Sequence, residues 1–216
     1  MDSDSSQDTD ETPGSLRSAN QAARRLAILD AAKAVFFDDG YQLASMDRIA
    51  ERAGTTKRTV YGYFPSKEAL FGAVVEKACA SVVSQLPGVD RLPPDPEQGL
   101  HAFAQASAEL MGSPNCIKLE RLILAEAERH PHFAATLAQA FDAGEAKLAA
   151  YLDGCIRQGR LRPHDPALAA RLLSNAIGWT TSLRNLLTTG SDAADPDKAS
   201  QAIKAALALY LAAYRA

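Results

Sequence analysis

Residues 46–71 read MDRIAERAGTTKRTVYGYFPSKEALF and contain two short helical patterns separated by a tight turn at Gly54. Ser45 and Thr56 each precede one pattern and supply the side-chain oxygen that caps a helix N-terminus. Gly54 favours the positive φ that lets the chain reverse tightly. Because two short helices joined by such a turn are typical of a helix-turn-helix, we predict this motif here.

The second helix of such a pair enters the major groove of DNA, where its N-terminal side chains meet base edges. Lysine and arginine can donate to guanine, threonine offers a hydroxyl or a methyl group, and tyrosine offers a flat ring with a polar tip. The predicted base-reading residues are Lys57, Arg58, Thr59 and Tyr61. Helix N-termini and nearby polar side chains suit phosphate oxygens. The predicted phosphate contacts are Ser45, Thr56, Tyr63 and Lys67.

Helical patterns flank this motif on both sides. Before it, the apolar residues Ile28, Ala32, Val35 and Phe36 form one stripe at the 3.6-residue period of a helix. Gly40 is a predicted C′ residue that ends this helix. After the motif, Pro65 and Ser66 are expected to open a fourth, longer helix.

Composition and charge bound the class of protein. The chain has 216 residues, 47% hydrophobic and only 6% aromatic, and is rich in alanine and leucine, which favours helices over sheets. We therefore predict an all-α protein in which a three-helix DNA-binding domain precedes a larger helical bundle. The net charge of −3 argues against nucleic acid as a partner. However, residues 21–71 carry a net charge of +2, which fits either one basic face or an ordinary mixed surface.

Three segments are predicted along the chain. Residues 1–19 are acidic and nearly devoid of apolar side chains, so we expect a disordered tail. The DNA-binding domain is expected at residues 20–72 and the larger helical domain at residues 73–216. The longest apolar run, residues 205–214, is too short to span a bilayer, and the N-terminal segment lacks the apolar core of a secretory signal. We expect a cytoplasmic protein without a membrane partner.

In the larger domain, four capping residues precede prolines, and each pair predicts a helix start. They are Asp95-Pro96, Ser113-Pro114, Asp165-Pro166 and Asp195-Pro196. Between the second and third of these pairs, the sequence predicts one long helix from Phe133 to about Gln158, or a helix interrupted there near Gly144. The two most apolar helices are predicted from Asp165 to about Thr188 and from Pro196 to Tyr214.

The sequence contains no catalytic motif. It has no G-x-S-x-G, no Walker loop, no dinucleotide fingerprint and no paired carboxylates with a plausible base, so we expect neither an enzyme nor a bound cofactor. Glu126, His130 and His132 could be drawn as a metal cluster, but without H-E-x-x-H spacing or a matching cysteine a helix end is favoured. The three widely spaced cysteines fit small buried thiols.

The stretch from Arg24 to about Val74 resembles the N-terminal DNA-binding domain of the TetR family of bacterial regulators. The resemblance implies a homodimer of about nine helices that binds a palindromic operator, mostly as a repressor, and releases DNA when a small molecule occupies the C-terminal domain. Gly62 departs from the family, which often has a larger side chain there. Residues 119–133, LERLILAEAERHPHF, and the stretch after them are similar to the AefR-like subgroup. The residues that carry the N-terminal resemblance are Phe36, Phe37, Gly40, Asp47, Ile49, Ala50, Gly54, Thr59, Val60, Tyr61, Tyr63, Phe64, Ser66, Lys67, Glu68, Ala69 and Leu70.

This resemblance assigns effector binding and dimerisation to residues 73–216. The candidates for a ligand pocket are large side chains that are equally typical of core packing. They are Phe103, Leu110, Met111, Leu122, Phe141, Tyr151 and Trp179. The apolar faces of the last two helices are candidates for a dimer interface, or for the interior of a monomer. They are Leu172, Ala176, Leu183, Leu207, Tyr210 and Leu211.

We therefore expect a ligand-responsive transcriptional regulator, most often a repressor, with operator DNA, a second copy of itself and a small molecule as partners. Few charged residues lie on the middle helices, which favours an apolar or amphipathic effector. The alternative is an architectural protein that binds DNA with little sequence preference. The acidic tail lies just before Arg24 and Arg25, where it could compete weakly with phosphates.

Overall fold

The computed structural model describes residues 13–178, 184–187 and 196–216, and helices form all the regular elements of these residues apart from one antiparallel bridge between Leu161 and Arg215. The all-α prediction is confirmed. The chain divides into two compact units between Val74 and Val75. No helix in the described part of the chain is long and apolar enough to cross a membrane.

The N-terminal unit contains three helices and the start of a fourth. They are α1 (Pro13–Leu43), α2 (Met46–Arg52), α3 (Lys57–Tyr63) and α4 (Lys67–Gln85), the last of which continues into the second unit. Gly40 lies inside α1 with φ 76° and ψ 170°, so the regular helix is interrupted at the residue predicted to end it. Because α1 begins at Pro13, residues 13–19 are helical, in contrast to the unstructured tail expected there.

A small aromatic core holds these helices together. Phe36 and Phe71 are fully buried and meet edge to face with ring centroids 4.8 Å apart. Tyr41 contacts Phe71 at 5.0 Å between ring centroids. Ile49 of α2 and Val60 of α3 are also fully buried, so each short helix is anchored by an apolar side chain. The predicted stripe of α1 lies in this core.

The second unit begins with a short 3-10 helix (Val89–Arg91) and continues through six further α-helices in the described residues. They are α5 (Pro96–Met111), α6 (Pro114–Glu126), α7 (Pro131–Arg157), α8 (Pro166–Gly178), α9 (Arg184–Leu187) and α10 (Pro196–Tyr214). Asp95, Ser113 and Asp165 cap α5, α6 and α8 through side-chain oxygens that accept backbone N–H groups. These three predicted helix starts are confirmed, whereas Asp195 lies outside the described residues.

Of the two alternatives predicted after His130, the structure has the single long helix, because α7 runs unbroken through Gly144 from Pro131 to Arg157. Glycine costs about 1 kcal/mol in a helix, but here a Cβ would lie only 3.2 Å from Leu86, so its absence lets that side chain approach. The described parts of the helix expected from Asp165 to about Thr188 are α8 and α9, and residues 179–183 between them lie outside the described residues.

The core of the second unit lies among α5, α7, α8 and α10. Leu207, Tyr210 and Leu211 of α10 belong to it and are at most 8% exposed. Tyr210 is fixed by a 2.8 Å hydrogen bond between its hydroxyl group and Nε2 of His164. These three side chains were predicted at a dimer interface, but they fill the interior of the protomer.

Candidate DNA-binding surface and ligand cavity

The recognition helix α3 is held by one buried side chain and exposes the opposite face. Val60 is fully buried, and the N–H of the C-cap residue Phe64 donates to its carbonyl oxygen at 2.9 Å. The exposed side chains are spaced one turn apart and therefore share one face of the helix. This exposed face comprises Lys57, Arg58, Tyr61 and Gly62.

Capping side chains begin both α2 and α3. The Ser45 hydroxyl accepts the Arg48 N–H at 3.2 Å, and the Thr56 hydroxyl accepts the Thr59 N–H at 3.2 Å. The two threonine hydroxyls are 2.9 Å apart, so Thr59 supports the cap as well as lying near the exposed face. Gly54 has φ 62°, which matches the positive φ expected for the turn.

Lys57 and Arg58 differ in what they contact. The Lys57 ammonium donates to the Asp47 carboxylate at 2.7 Å, and this hydrogen bond and charge raise the pKa of Lys57 above its ordinary value. Arg58 is exposed, and it makes no hydrogen bond or ion pair with any residue the structure describes. The guanidinium of Arg58 is therefore available to a partner without the loss of an existing contact.

Two other arginines of this region have partners within the unit. Arg48 pairs with Asp39, and Arg52 donates to Asp38 at 2.7 Å, which joins α2 to the end of α1. Half of each arginine side chain remains exposed, so these are surface ion pairs of small net energy. These two ion pairs orient α2 relative to α1, and they partly neutralise the positive charge of α2.

Lys67, predicted to contact phosphate, has a structural position in the protein without DNA. Its ammonium donates to the carbonyl oxygens of Tyr41, Gln42 and Ala44 at 2.9–3.2 Å. It also lies 4.7 Å from the centre of the Tyr41 ring, within the range of a cation–π contact. All three protons of Lys67 therefore face the C-terminal end of α1.

The remaining predicted contacts lie at the end of α3. Tyr61 is 44% exposed, and Tyr63 is half-buried. At Gly62 a Cβ would meet no described atom within 4 Å, so the space left by the missing side chain is open.

The second unit contains a cavity of about 670 Å³ among α4, α5, α6, α7 and α8. Its wall is mainly apolar. Of the predicted pocket residues, Phe103, Met111 and Phe141 line it. Leu110, Leu122 and Tyr151 do not, and Trp179 lies outside the described residues. Tyr151 belongs instead to the buried core of this unit, where its hydroxyl group donates to the backbone carbonyl oxygens of Pro93 and Asp95.

Sequence periodicity missed most of the cavity wall, in particular the α4 side chains Cys79, Val82 and Val83. These residues occupy an ordinary apolar stripe, which does not distinguish a filled interior from a hollow one. No lysine, arginine or histidine is among the described residues that line the cavity.

A few polar groups lie within this apolar wall. Ser107 is 5% exposed, and its hydroxyl has no hydrogen-bond partner among the described residues. Glu120 is 2% exposed, and its carboxyl accepts the Cys116 thiol at 3.6 Å. Burial, and then the Glu120 carboxyl, raise the pKa of Cys116 to about 12 and that of Cys79 to about 11. Both thiols therefore stay protonated near neutral pH.

Helices α8 and α10 expose several apolar side chains. Most of these side chains are not the ones predicted for a dimer interface. Leu172 is 63% exposed, as predicted for such a face, and Ala176 is half-buried. Leu168 and Leu209, which the periodicity did not single out, are 56% and 75% exposed. Leu183 lies outside the described residues.

The histidines give no metal site in the described ranges. His130, His132 and Phe133 form a cluster of rings at the start of α7, with His132 and Phe133 centroids 4.1 Å apart. No group of three or more histidine, cysteine, aspartate or glutamate side chains in the described residues is placed to hold a metal ion.

Two family models match the chain. The model described as "Bacterial regulatory proteins, tetR family" matches residues 28–74, and the model described as "AefR-like transcriptional repressor, C-terminal domain" matches residues 98–216. The first match contains α2 and α3 with its exposed face, and the second begins in the first turn of α5 and extends through α10.

Curated relatives are similar mainly at the N-terminal end. The HTH-type transcriptional activator FasR of Mycolicibacterium smegmatis is 41% identical over 83 residues, 38% of either chain. The HTH-type transcriptional regulator RutR of Escherichia coli K12 is 43% identical over 61 residues, 28% of this chain and 29% of RutR. The matched stretch thus spans less than half the length of these relatives.

Solved structures match across most of the chain. A TetR-family transcriptional regulator from Mesorhizobium loti superimposes with a TM-score of 0.78 and 30% identity, over 90% of this chain and 98% of that one. The flavonoid-responsive regulator FrrA superimposes with a TM-score of 0.70 and 26% identity, over the same shares of the two chains.

Proposed function

This chain belongs to the TetR family of bacterial transcriptional regulators, with an AefR-like C-terminal domain. We propose that it is a repressor that binds a palindromic operator as a homodimer. We further propose that a small molecule releases it from the DNA. The observation that carries the proposal is the exposed face of α3, where Arg58 has no partner among the described residues and Tyr61 stands one turn further along.

This face has the chemistry of a base reader. Arg58 can donate two parallel hydrogen bonds to guanine, and its transfer to a base breaks no contact within the protein. Lys57 would exchange its ion pair with Asp47 for a base or a phosphate, which makes its net contribution smaller. Thr59 and Tyr61 supply further contacts, and Ser45, Thr56, Tyr63 and Lys67 are proposed to hold the DNA backbone.

Dimerisation is supported by the exposed leucines of α8 and α10. Leu168, Leu172 and Leu209 are each more than half exposed, although large apolar side chains are normally buried. The outward face of α10 also carries Ala205 and Ala212, whose small side chains permit close helix packing. We propose that α8 and α10 form a four-helix interface with their copies, which would set two recognition helices about 34–36 Å apart.

Release is proposed to start in the cavity. Helix α4 lines the cavity with Cys79, Val82 and Val83, and its first half carries Leu70 and Phe71 of the N-terminal core. A ligand that binds better when α4 has moved would shift the population away from the DNA-binding form by its difference in affinity. The flavonoid response of the similar regulator FrrA supports an apolar or amphipathic effector.

The test is selection of bound sequences from a random duplex pool, followed by titration at two salt concentrations. We expect a palindromic sequence, bound by two copies, with a large preference over random DNA. Arg58→Ala should weaken binding to the selected duplex by about tenfold or more and binding to random DNA much less. Arg157→Ala is the matched control, because it removes the same charge from an exposed site remote in sequence.

The same selected duplex tests dimerisation. Leu172→Glu combined with Leu209→Glu should yield a folded monomer by sedimentation velocity, with a large loss of operator binding. Equal loss of selected and random binding in Arg58→Ala, or no enrichment at all, would instead favour an architectural protein with little sequence preference.

A further inference from the structure

We propose that the effector is an uncharged, mainly apolar molecule that carries a hydroxyl group, which hydrogen-bonds to the Ser107 hydroxyl and the Glu120 carboxyl inside the cavity. This inference rests on the proposed function and names the chemical class of the molecule that fills the cavity.

The first observation is the unpaired hydroxyl of Ser107. A buried polar group without a hydrogen bond destabilises a protein by about 1–3 kcal/mol, yet Ser107 is 5% exposed and has no partner in the described residues. Alanine would fit the same place without this penalty. Because Ser107 lines the cavity, a ligand atom can provide the missing hydrogen bond.

The second observation is Glu120, a residue that is 2% exposed in the wall of the same cavity. One of the contacts of its carboxyl group is the hydrogen bond from the Cys116 thiol at 3.6 Å, which comes from a weak donor. A ligand hydroxyl is a stronger donor to a carboxylate and would also accept from a serine. A hydroxyl group can donate to the carboxyl group and accept from the Ser107 O–H, whereas an ammonium group can only donate and would leave the Ser107 O–H without an acceptor.

The charge of the described lining disfavours anions. Glu120 and Glu145 both line the cavity, and no basic residue among the described ones does. A carboxylate or phosphate on the ligand would be buried beside two carboxyl groups without a counter-charge from the described lining, which is strongly unfavourable. The rest of the wall, including Val82, Leu86 and Phe141, requires an apolar body.

The experiment is isothermal titration calorimetry on the full chain without DNA, using matched probe pairs. Apigenin is compared with its trimethyl ether, and 1-dodecanol with dodecanoate. We expect the hydroxyl member of at least one pair to bind, with its partner weaker by about tenfold or more. The proposal is overturned if no probe binds, or if the ether or the carboxylate binds as well as its hydroxyl partner.

Two conservative variants locate the hydroxyl. Ser107→Ala and Glu120→Gln should each weaken the hydroxyl probe by about tenfold. Ser107→Ala should leave both weaker partners unchanged, and Glu120→Gln should leave the trimethyl ether unchanged. Glu120→Gln should in addition bind dodecanoate more tightly than the unaltered chain does. Ser84→Ala and Glu128→Gln are the matched controls, because both side chains are exposed and outside the cavity lining. If both kinds of probe weaken equally, the residues only support the shape of the cavity and the proposal fails.

Release of a selected duplex, measured by fluorescence anisotropy, distinguishes failure of this proposal from failure of the proposed function. A hydroxyl probe that binds the cavity without releasing DNA supports the ligand class and contradicts the effector role. Release by dodecanoate but not by the hydroxyl probes contradicts the ligand class and leaves the regulator in place.

Discussion

The two units of this protein use their helices differently. In the N-terminal unit each helix has one apolar face toward a filled aromatic core around Phe36 and Phe71, and its other face meets solvent. In the second unit an apolar helix face can meet the core, a 670 Å³ cavity or another copy of the chain. Periodicity reports the direction of a side chain along its helix, so it is informative where only two environments exist and ambiguous where three do.

Because the N-terminal core is filled and the second unit contains a cavity, replacing phenylalanine by alanine should lower the free energy of unfolding by different amounts in the two units. Phe36→Ala should lower the free energy of unfolding by about 3–5 kcal/mol, because it empties a filled core. Phe141→Ala removes a ring that is 43% exposed and already borders the cavity, so we expect a loss of only about 1 kcal/mol. Urea denaturation followed by circular dichroism measures both. Similar losses in the two variants would break the distinction between a filled and a hollow unit.

Lys67 tests whether the N-terminal unit depends on a buried polar contact. Lys67→Met should destabilise it by about 1–3 kcal/mol, since three carbonyl oxygens at the end of α1 lose a charged donor. The melting temperature should fall, whereas Arg58→Ala should leave it unchanged. If Lys67→Met keeps the melting temperature and loses only DNA binding, Lys67 acts chiefly on phosphate.

The thiols of the second unit predict a pH dependence that the N-terminal unit, which contains no cysteine, does not share. The pKa values of Cys79 and Cys116 are raised to about 11 and about 12, whereas an unfolded thiol has a pKa near 8.5. Above about pH 8.5 the unfolded chain loses these protons first, so stability decreases as pH rises toward 11–12. Urea denaturation at pH 8 and pH 10 should detect the decrease, and Cys79→Ala with Cys116→Ala should reduce it. If the double variant loses as much stability between pH 8 and pH 10 as the unaltered chain, groups other than these two thiols cause the decrease.

The smallest effect is expected at Gly62. Gly62→Ala should stabilise α3 by about 0.5–1 kcal/mol, because alanine is the better helix former and no described atom lies within 4 Å of the new Cβ. Thermal denaturation checks the sign. A lower melting temperature would mean that the open space at the end of α3 is not available to a side chain.

Much of the N-terminal unit could be predicted from particular residues. Ser45, Gly54 and Thr56 were identified from the requirements of caps and turns, and the structure shows the expected hydrogen bonds and positive φ. The pairing of Lys57 with Asp47 could not be predicted, because it depends on the crossing of two helices rather than on spacing. The role of Lys67 at the end of α1 was missed for the same reason, since its partners lie more than twenty residues away.

In the second unit the sequence predicted the starts of helices well. It predicted less well which side chains line the cavity and which fill the core. Asp95, Ser113 and Asp165 act through neighbouring N–H groups, so local spacing was sufficient. Tyr151 and Tyr210 were misplaced because each hydroxyl group finds its hydrogen-bond partner on a distant segment.

The helical class, the helix-turn-helix and the caps could be predicted from the residues, because these features follow from contacts within a few positions. The packing of distant helices sets which apolar face borders a cavity, which leucines of α8 and α10 remain exposed, and that Ser107 and Glu120 share a cavity wall. The physical reason is that a cavity and an exposed face are differences in packing between helices far apart in the chain, and the 3.6-residue period carries no information about the element on the other side.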